Sequence, residues 1–204
     1  MIISHNRGRG KKIHLLIDDE YQITTDIDFW ADHSIKDGTE ISQDEWDALV
    51  DAIQYKKALD KCYDLLSRRD HSTKELRTKL LRSIDEGNAD KAIRRMKELG
   101  YLDDHRYAKS LLQYLVEGKK MSKSFVKQEF YKRGIPADIT NDVIGEYEFD
   151  NESAVYDLLC TKYKNKLLAD NGTEKVTNAL LRKGFSYFDI KSAFRKIEIE
   201  GFDE

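Results

Sequence analysis

Three segments of this 204-residue chain align at a spacing of 50: STKELRTKLLRSI from Ser72, SKSFVKQEFYKRGI from Ser122 and GTEKVTNALLRKGF from Gly172. Such a repeat constrains the fold more than any single motif, because each unit must bury its apolar face against a neighbour of the same kind. In this register Leu76, Val126 and Val176 coincide, followed by Leu80, Phe130 and Leu180, then Leu81, Tyr131 and Leu181. Read at i, i+4 and i+5, these positions define one apolar helical face. Arg82, Lys132 and Arg182 come next, and Gly134 and Gly184 supply a left-handed stop.

The flanks repeat more loosely. Ala58, Cys62, Leu65 and Leu66 mark a preceding helix, matched 50 residues on by Ala108, Leu112, Leu115 and Val116. The third copy, ESAVYDLLCTKYKNKLL, reads as one helix about a turn longer. A following helix centres on Ile93, Val143 and Ala193. Ser42 with Glu45, Ser72 with Glu75 and Ser186 with Asp189 fit capping-box spacing, and Asn88, Asp138 and Asn151 sit at further helix starts. The expected fold is mainly α: three tandem three-helix repeats, 55–103, 104–149 and 150–204, in a curved elongated array.

Residues 1–54 differ. IHLLI (13–17) and YQITTDI (21–27) flank Asp18-Asp19-Glu20 and predict a β-hairpin; Asp37-Gly38 marks a turn, and Ser42 opens a short helix through Trp46, Leu49, Val50 and Ile53. The RGRGKK tract, Arg7–Lys12, reads as a disordered terminus or as a phosphate-seeking arm.

The net charge of −3 conceals a strong segregation. Residues 1–54 carry 5 basic and 12 acidic side chains, residues 55–133 carry 21 and 12, and residues 134–204 carry 9 and 14. The middle third can face a polyanion, while the ends repel one. No apolar run reaches the roughly 20 residues of a membrane helix, and no apolar h-region follows the N-terminus. Cys62 and Cys160, each among helical apolar positions, read as free buried thiols, and the expected compartment is the cytoplasm.

Catalytic signatures are missing: there is no GxxxxGK[ST], GxSxG, HExxH or CxxC, and the histidines at 5, 14, 33, 71 and 105 never fall at helical ligand spacing. The stretch GYLDDHRYA (100–108) offers two aspartates and a histidine, but adjacent side chains at a helix start diverge instead of converging on a metal. It reads as a joint between repeats. Gly100 ends one helix, Leu102 plugs the core, Asp103 or Asp104 caps the next helix, and Tyr107 and Ala108 enter its core. No cofactor, metal or enzymatic activity is expected.

The functional lead is basic. Arg68, Arg69, Lys74, Arg77, Arg82, Arg94, Arg95, Lys119, Lys120, Lys123, Lys127, Lys132 and Arg133 cluster in the first two repeats. Their collective excess points to an anionic partner, either nucleic acid or an acidic protein groove. Tyr101, Tyr107 and Tyr131 mostly fall where a helical core would want them.

Three blocks resemble the signatures of the RecX family, bacterial regulators of the RecA recombinase. The first is matched by Arg69, Ser72, Glu75, Leu76 and Leu80; the second by Gly100, Leu102, Asp104, Tyr107 and Ala108; the third by Val126, Glu129, Phe130, Arg133, Gly134 and Ile135. The likeness spans about 55–204 and is most specific over 63–135. Ser122 departs from the glycine often found there. The resemblance implies a non-enzymatic, monomeric regulator, mainly an inhibitor, lodged in the groove of a RecA filament on single-stranded DNA. The basic residues Arg77, Arg82, Lys123 and Lys127 would carry most of the contact. The alternative is a sequence-tolerant single-stranded nucleic-acid binder without a recombinase partner.

Overall fold

The computed structural model describes residues 1–200, with side chains to residue 198. It comprises two compact units, residues 1–69 with 76–101 and residues 70–75 with 102–200.

The first unit begins with β1 (Ile2–Arg7), β2 (Lys12–Ile17), β3 (Glu20–Asp26), α1 (Ile27–His33), β4 (Thr39–Glu40) and α2 (Gln43–Arg68). The strands form one antiparallel sheet in the order β3-β2-β1-β4. The expected hairpin is present, its register pairing Leu15 with Ile23. Asp18 and Asp19 both take positive φ, the two-residue turn whose twist suits a tight hairpin. A second hairpin corrects the reading of the N-terminus. Arg7–Lys12 is neither a disordered terminus nor a free arm; it closes β1 onto β2, with the Gly8 N–H donating to the Lys12 carbonyl at 2.8 Å. Alternate residues Ile3, Ile13, Leu15 and Ile23 face Phe29, Trp30, Trp46, Leu49 and Ile53, so the sheet is covered on one side by α1 and the start of α2.

The helix opened by Ser42 is not short. Its capping box forms as expected, but the helix runs 26 residues to Arg68, and position 54 lies inside it. No proline or glycine interrupts the segment, so nothing in the backbone stops it earlier. The second half of α2 buries Ala58 and Cys62 and packs on α4 (Glu86–Glu98), which buries Ala89, Ala92, Ile93 and Met96. Between them runs α3 (Thr73–Leu80), with Leu76 and Leu80 fully buried.

The second unit continues with α5 (Asp104–Gln113), a π-helical turn (Tyr114–Gly118), α6 (Lys123–Arg133) and α7 (Ala137–Gly145). Tyr107, Ala108, Leu111, Leu112, Leu115, Val126, Phe130 and Val143 share one core. Then come α8 (Asn151–Cys160), α9 (Lys164–Leu167), α10 (Gly172–Arg182) and α11 (Tyr187–Glu200), whose core includes Val155, Leu159, Val176, Leu180, Ile190 and Ala193. The first helix of this copy is broken instead of lengthened: α8 stops at Thr161, where φ and ψ leave the helical region, and α9 follows as a single turn. The helix starts also shift: Asp85 and Asp150 are the caps, leaving Asn88 and Asn151 inside the first turn, and Pro136 precedes Asp138.

Two expectations about burial fail. Cys160 is exposed at the end of α8, whereas Cys62 is buried and burial pushes its thiol up to about 11. Leu81, Tyr131 and Leu181 are 40%, 84% and 42% exposed. On an α-helix, position i+5 lies about 140° from position i, outside the face that i and i+4 share. These two helical facts generate direct tests. A thiol reagent should modify Cys160 in the native protein and Cys62 only after unfolding, as followed by mass spectrometry. Phe130→Ala, at a fully buried site, should lower stability by about 3–5 kcal/mol in urea denaturation.

Candidate partner-binding surface

The second unit is assembled through a joint that occurs twice. The Ser72 hydroxyl, fully buried at the start of α3, donates to the Arg133 carbonyl at the end of α6. Fifty residues on, the N–H of the equally buried Ser122 donates to the Lys183 carbonyl at 3.1 Å, at the end of α10. In each case the next residue is a glycine at positive φ: Gly134 at 69° and Gly184 at 83°. Their turns also bond alike, with the Ile135 N–H on the Phe130 carbonyl and the Phe185 N–H on the Leu180 carbonyl. A Cβ on Gly134 would fall 2.1 Å from the Lys74 side chain, and one on Gly184 would fall 2.5 Å from Ser122 Oγ. Glycine is therefore required by conformation and by contact. Ser122, the departure from the family pattern, serves as N-cap of α6, accepting the Phe125 N–H at 3.2 Å.

The first joint carries a polar network that the second lacks. Ser72 and Glu75 make their reciprocal caps. Arg133 donates to Glu129 at 2.8 Å and to the Tyr107 hydroxyl at 2.7 Å, and it lies 3.7 Å from Glu75. The Tyr107 hydroxyl in turn donates to Glu75 at 3.3 Å. Asp104 is buried and accepts the Thr73 N–H at 2.7 Å, tying α5 to the first turn of α3. The N-cap of α5 is Asp103 alone, accepting the His105 and Arg106 N–H groups at 2.9 and 3.0 Å. His105 pairs with Asp142 at 2.7 Å. Hydrogen bonds from the Arg106 and His105 amides hold the Asp103 carboxyl below its ordinary value, despite the opposing effect of burial. Gly100, at φ +73°, ends α4, and Leu102 is buried, as read from the sequence.

This geometry divides the basic residues. Arg133 is engaged in the joint. Arg77 in the first unit is clamped by Asp90 at 2.7 Å and by Glu86, and these partners raise its already high basicity. Arg68 pairs with Asp64 at 2.8 Å. The sequence missed the Arg77 pairings because its two acids lie 9 and 13 residues away and meet it only through the turn between α3 and α4. Arg69, Lys74, Arg82, Lys119, Lys120, Lys123, Lys127 and Lys132 are exposed.

Lys123, Lys127 and Tyr131 follow at i, i+4 and i+8 on the solvent face of α6. Lys74, Lys127 and Tyr131 border a cleft of about 370 Å³ floored by Gly134, Ile135 and Thr140. Of the three tyrosines expected to be core, only Tyr107 is; Tyr131 stands at the cleft, and Tyr101 in the first unit is 55% exposed. The missed signal was present: Tyr131 sits between basic positions, whereas a buried aromatic needs apolar neighbours at i−4 and i−3. Cations beside an exposed ring suit an anionic partner with planar or apolar groups. Among the described residues no group of three or more histidine, cysteine or acidic side chains could hold a metal ion, and no helix is long and apolar enough to cross a membrane.

The two aspartates should separate on mutation. Asp103→Ala should cost about 1 kcal/mol as a lost cap, and Asp104→Ala about 1–3 kcal/mol because it strands the Thr73 amide. The Asp103 contribution is complete above its unfolded pKa and is lost as pH falls through its lower folded value. The stability gap between wild type and Asp103→Ala should therefore close on acidification in denaturation titrations.

Comparison with known proteins agrees with this architecture. A family model described as "RecX, first three-helix domain" matches residues 58–96. The regulatory protein RecX of Clostridioides difficile is 28% identical over 206 residues, covering 99% of this chain and 96% of the relative. That of Caldanaerobacter subterraneus subsp. tengcongensis is 29% identical over 192 residues, covering 92% and 94%. The crystal structure of RecX from Lactobacillus salivarius shares the fold at a TM-score of 0.61 and 24% identity, covering 72% of this chain and 99% of its own. A second RecX crystal structure also reaches a TM-score of 0.61, at 19% identity, over 93% and 98%. With the first three-helix model falling on residues 58–96 and likeness to the curated relatives running nearly end to end, these comparisons support the RecX family for this chain.

Proposed function

We propose that this chain regulates the RecA recombinase, mainly as an inhibitor, by binding in the groove of the RecA–single-stranded-DNA filament and modulating its ATPase, strand exchange and assembly. The observation that carries this reading is the near full-length likeness to relatives named regulatory proteins, which also favours a non-enzymatic role. The exposed Lys123–Lys127–Tyr131 face of α6 supports it, since cations around a ring complement a surface made of acidic protein and DNA. Arg77, bound up with Asp90 and Glu86, contributes less than the sequence suggests, and the weight moves to Lys123, Lys127 and their neighbours Lys74 and Lys132.

The test is the DNA-dependent ATPase rate of RecA. Substoichiometric amounts of the wild-type chain should slow it. Lys123→Glu combined with Lys127→Glu should raise the half-inhibitory concentration by roughly tenfold or more and flatten its dependence on salt, because fewer cations take part. A rate unaffected by the wild-type chain would sink the reading.

A further inference from the structure

A second cationic cluster lies where the second and third repeats meet inside the second unit, and it includes lysines to which the sequence assigned no role. It is built by backbone geometry. The π-helical turn ends with the Lys119 N–H on the Tyr114 carbonyl at 3.1 Å, which brings position i+5 back over position i. The Lys119 ammonium consequently stands 5.4 Å from the centre of the Tyr114 ring, and that ring is 56% exposed. Lys120 follows at φ 51°, turning the chain sharply before α6. From the third repeat, the Lys183 ammonium reaches across to the Lys119 carbonyl and lies 3.8 Å from the Met121 sulfur. Lys162, exposed in the break between α8 and α9, is near enough for its charge to act on Lys183.

The electrostatics of this cluster are uncompensated. Lys183 is half-buried and holds its proton less firmly than an ordinary lysine, first because of burial and then because of the charges on Lys162 and Lys119. Among the described residues the partners of its ammonium are a main-chain carbonyl and a thioether. Among the described residues none of Lys119, Lys120, Lys162 and Lys183 forms an ion pair with a carboxylate. That contrasts with Arg77, Lys91, Lys109 and Arg133, each matched to an acid. Like charges held close without a counter-charge destabilise a fold unless an anion joins them.

We infer that Lys119, Lys120, Lys162 and Lys183 bind the phosphodiester backbone of a single-stranded nucleic acid, with Tyr114 offering its open face to an unpaired base. Phosphate oxygens provide the missing counter-charge, and a ring beside the cations matches how unpaired strands are held without reading their sequence. An acidic polypeptide would satisfy the lysines but would make no use of the exposed ring. Such a site acts on nucleic acid alone, with or without a recombinase.

The experiment is fluorescence anisotropy of a labelled oligothymidylate at low ionic strength, with the full chain and no other protein. Lys119→Glu with Lys162→Glu, both at exposed positions, should raise the Kd by roughly tenfold or more. The slope of log affinity against log salt should flatten by about 1.4, as two lost phosphate contacts require. Lys119→Gln with Lys162→Gln should show the same direction to a smaller extent, and circular dichroism should show each variant folded. Undetectable binding by the wild type would overturn the assignment, as would an affinity and slope that neither pair of substitutions changes. Parallel titration with polyglutamate supplies the remaining arm: a variant that loses polyglutamate binding while keeping oligothymidylate binding identifies a protein-binding site and overturns it too.

Discussion

The second unit depends on a hydrogen bond to one main-chain carbonyl at the end of a helix. The carbonyls of Arg133 and Lys183 lie among the last of their helices, where no intrahelical amide follows to occupy them. A serine from the preceding repeat fills the vacancy, through its hydroxyl at Ser72 and its amide at Ser122. The same serine caps its own helix, so one residue starts a helix and fastens it to the end of another. Serine is short enough to do both while fully buried, and the glycine after the carbonyl leaves room for the approach. The 50-residue period is thus a period of joints as much as of helices.

The two joints share this frame and differ in what surrounds it. Around Ser72 the contacts are charged, with Arg133, Glu75, Glu129, Tyr107 and Asp104 all engaged. At the second joint the counterparts of Glu75, Tyr107 and Asp104 are Phe125, Asp157 and Ala154, and the counterpart of Arg133 is Lys183, which reaches a carbonyl instead of a carboxylate. A half-satisfied network of charges in a packed joint is costly, and the second joint keeps Lys183 without the carboxylates that meet Arg133 at the first. Lys183 anchors the uncompensated cluster.

Much of this was legible in the sequence because it rests on local rules. The capping boxes at Ser42, Ser72 and Ser186 and the glycine stops at Gly134 and Gly184 need only residues a few positions apart. What escaped was decided at longer range or by angle. Leu81, Tyr131 and Leu181 look apolar enough to be core, yet the helix turns them away from it. In β1 the polar residues Ser4, His5 and Asn6 obscure the strand, which is revealed only by its pairing with β2. Of the two aspartates in GYLDDHRYA, the first caps its own helix and the second reaches the start of another; nothing in their order distinguishes them before the chain is folded. Among the basic residues, charge alone could not separate Arg77 and Arg133, which are spoken for, from Lys123 and Lys127, which project into solvent.

The unbroken run of α2 bears on how proteins of this build can gain or lose their N-terminal part. At 26 residues the helix extends about 39 Å, its first turns lying on the sheet and its last turns forming the first repeat. A sheet joined through a flexible linker could be exchanged or deleted at the linker without disturbing its neighbour. Here the two share one rigid rod, and any cut between them leaves frayed helix ends on both sides with Trp46, Leu49 and Ile53 stripped of cover or of support. Removing the sheet therefore means cutting into the same helix that builds the first repeat.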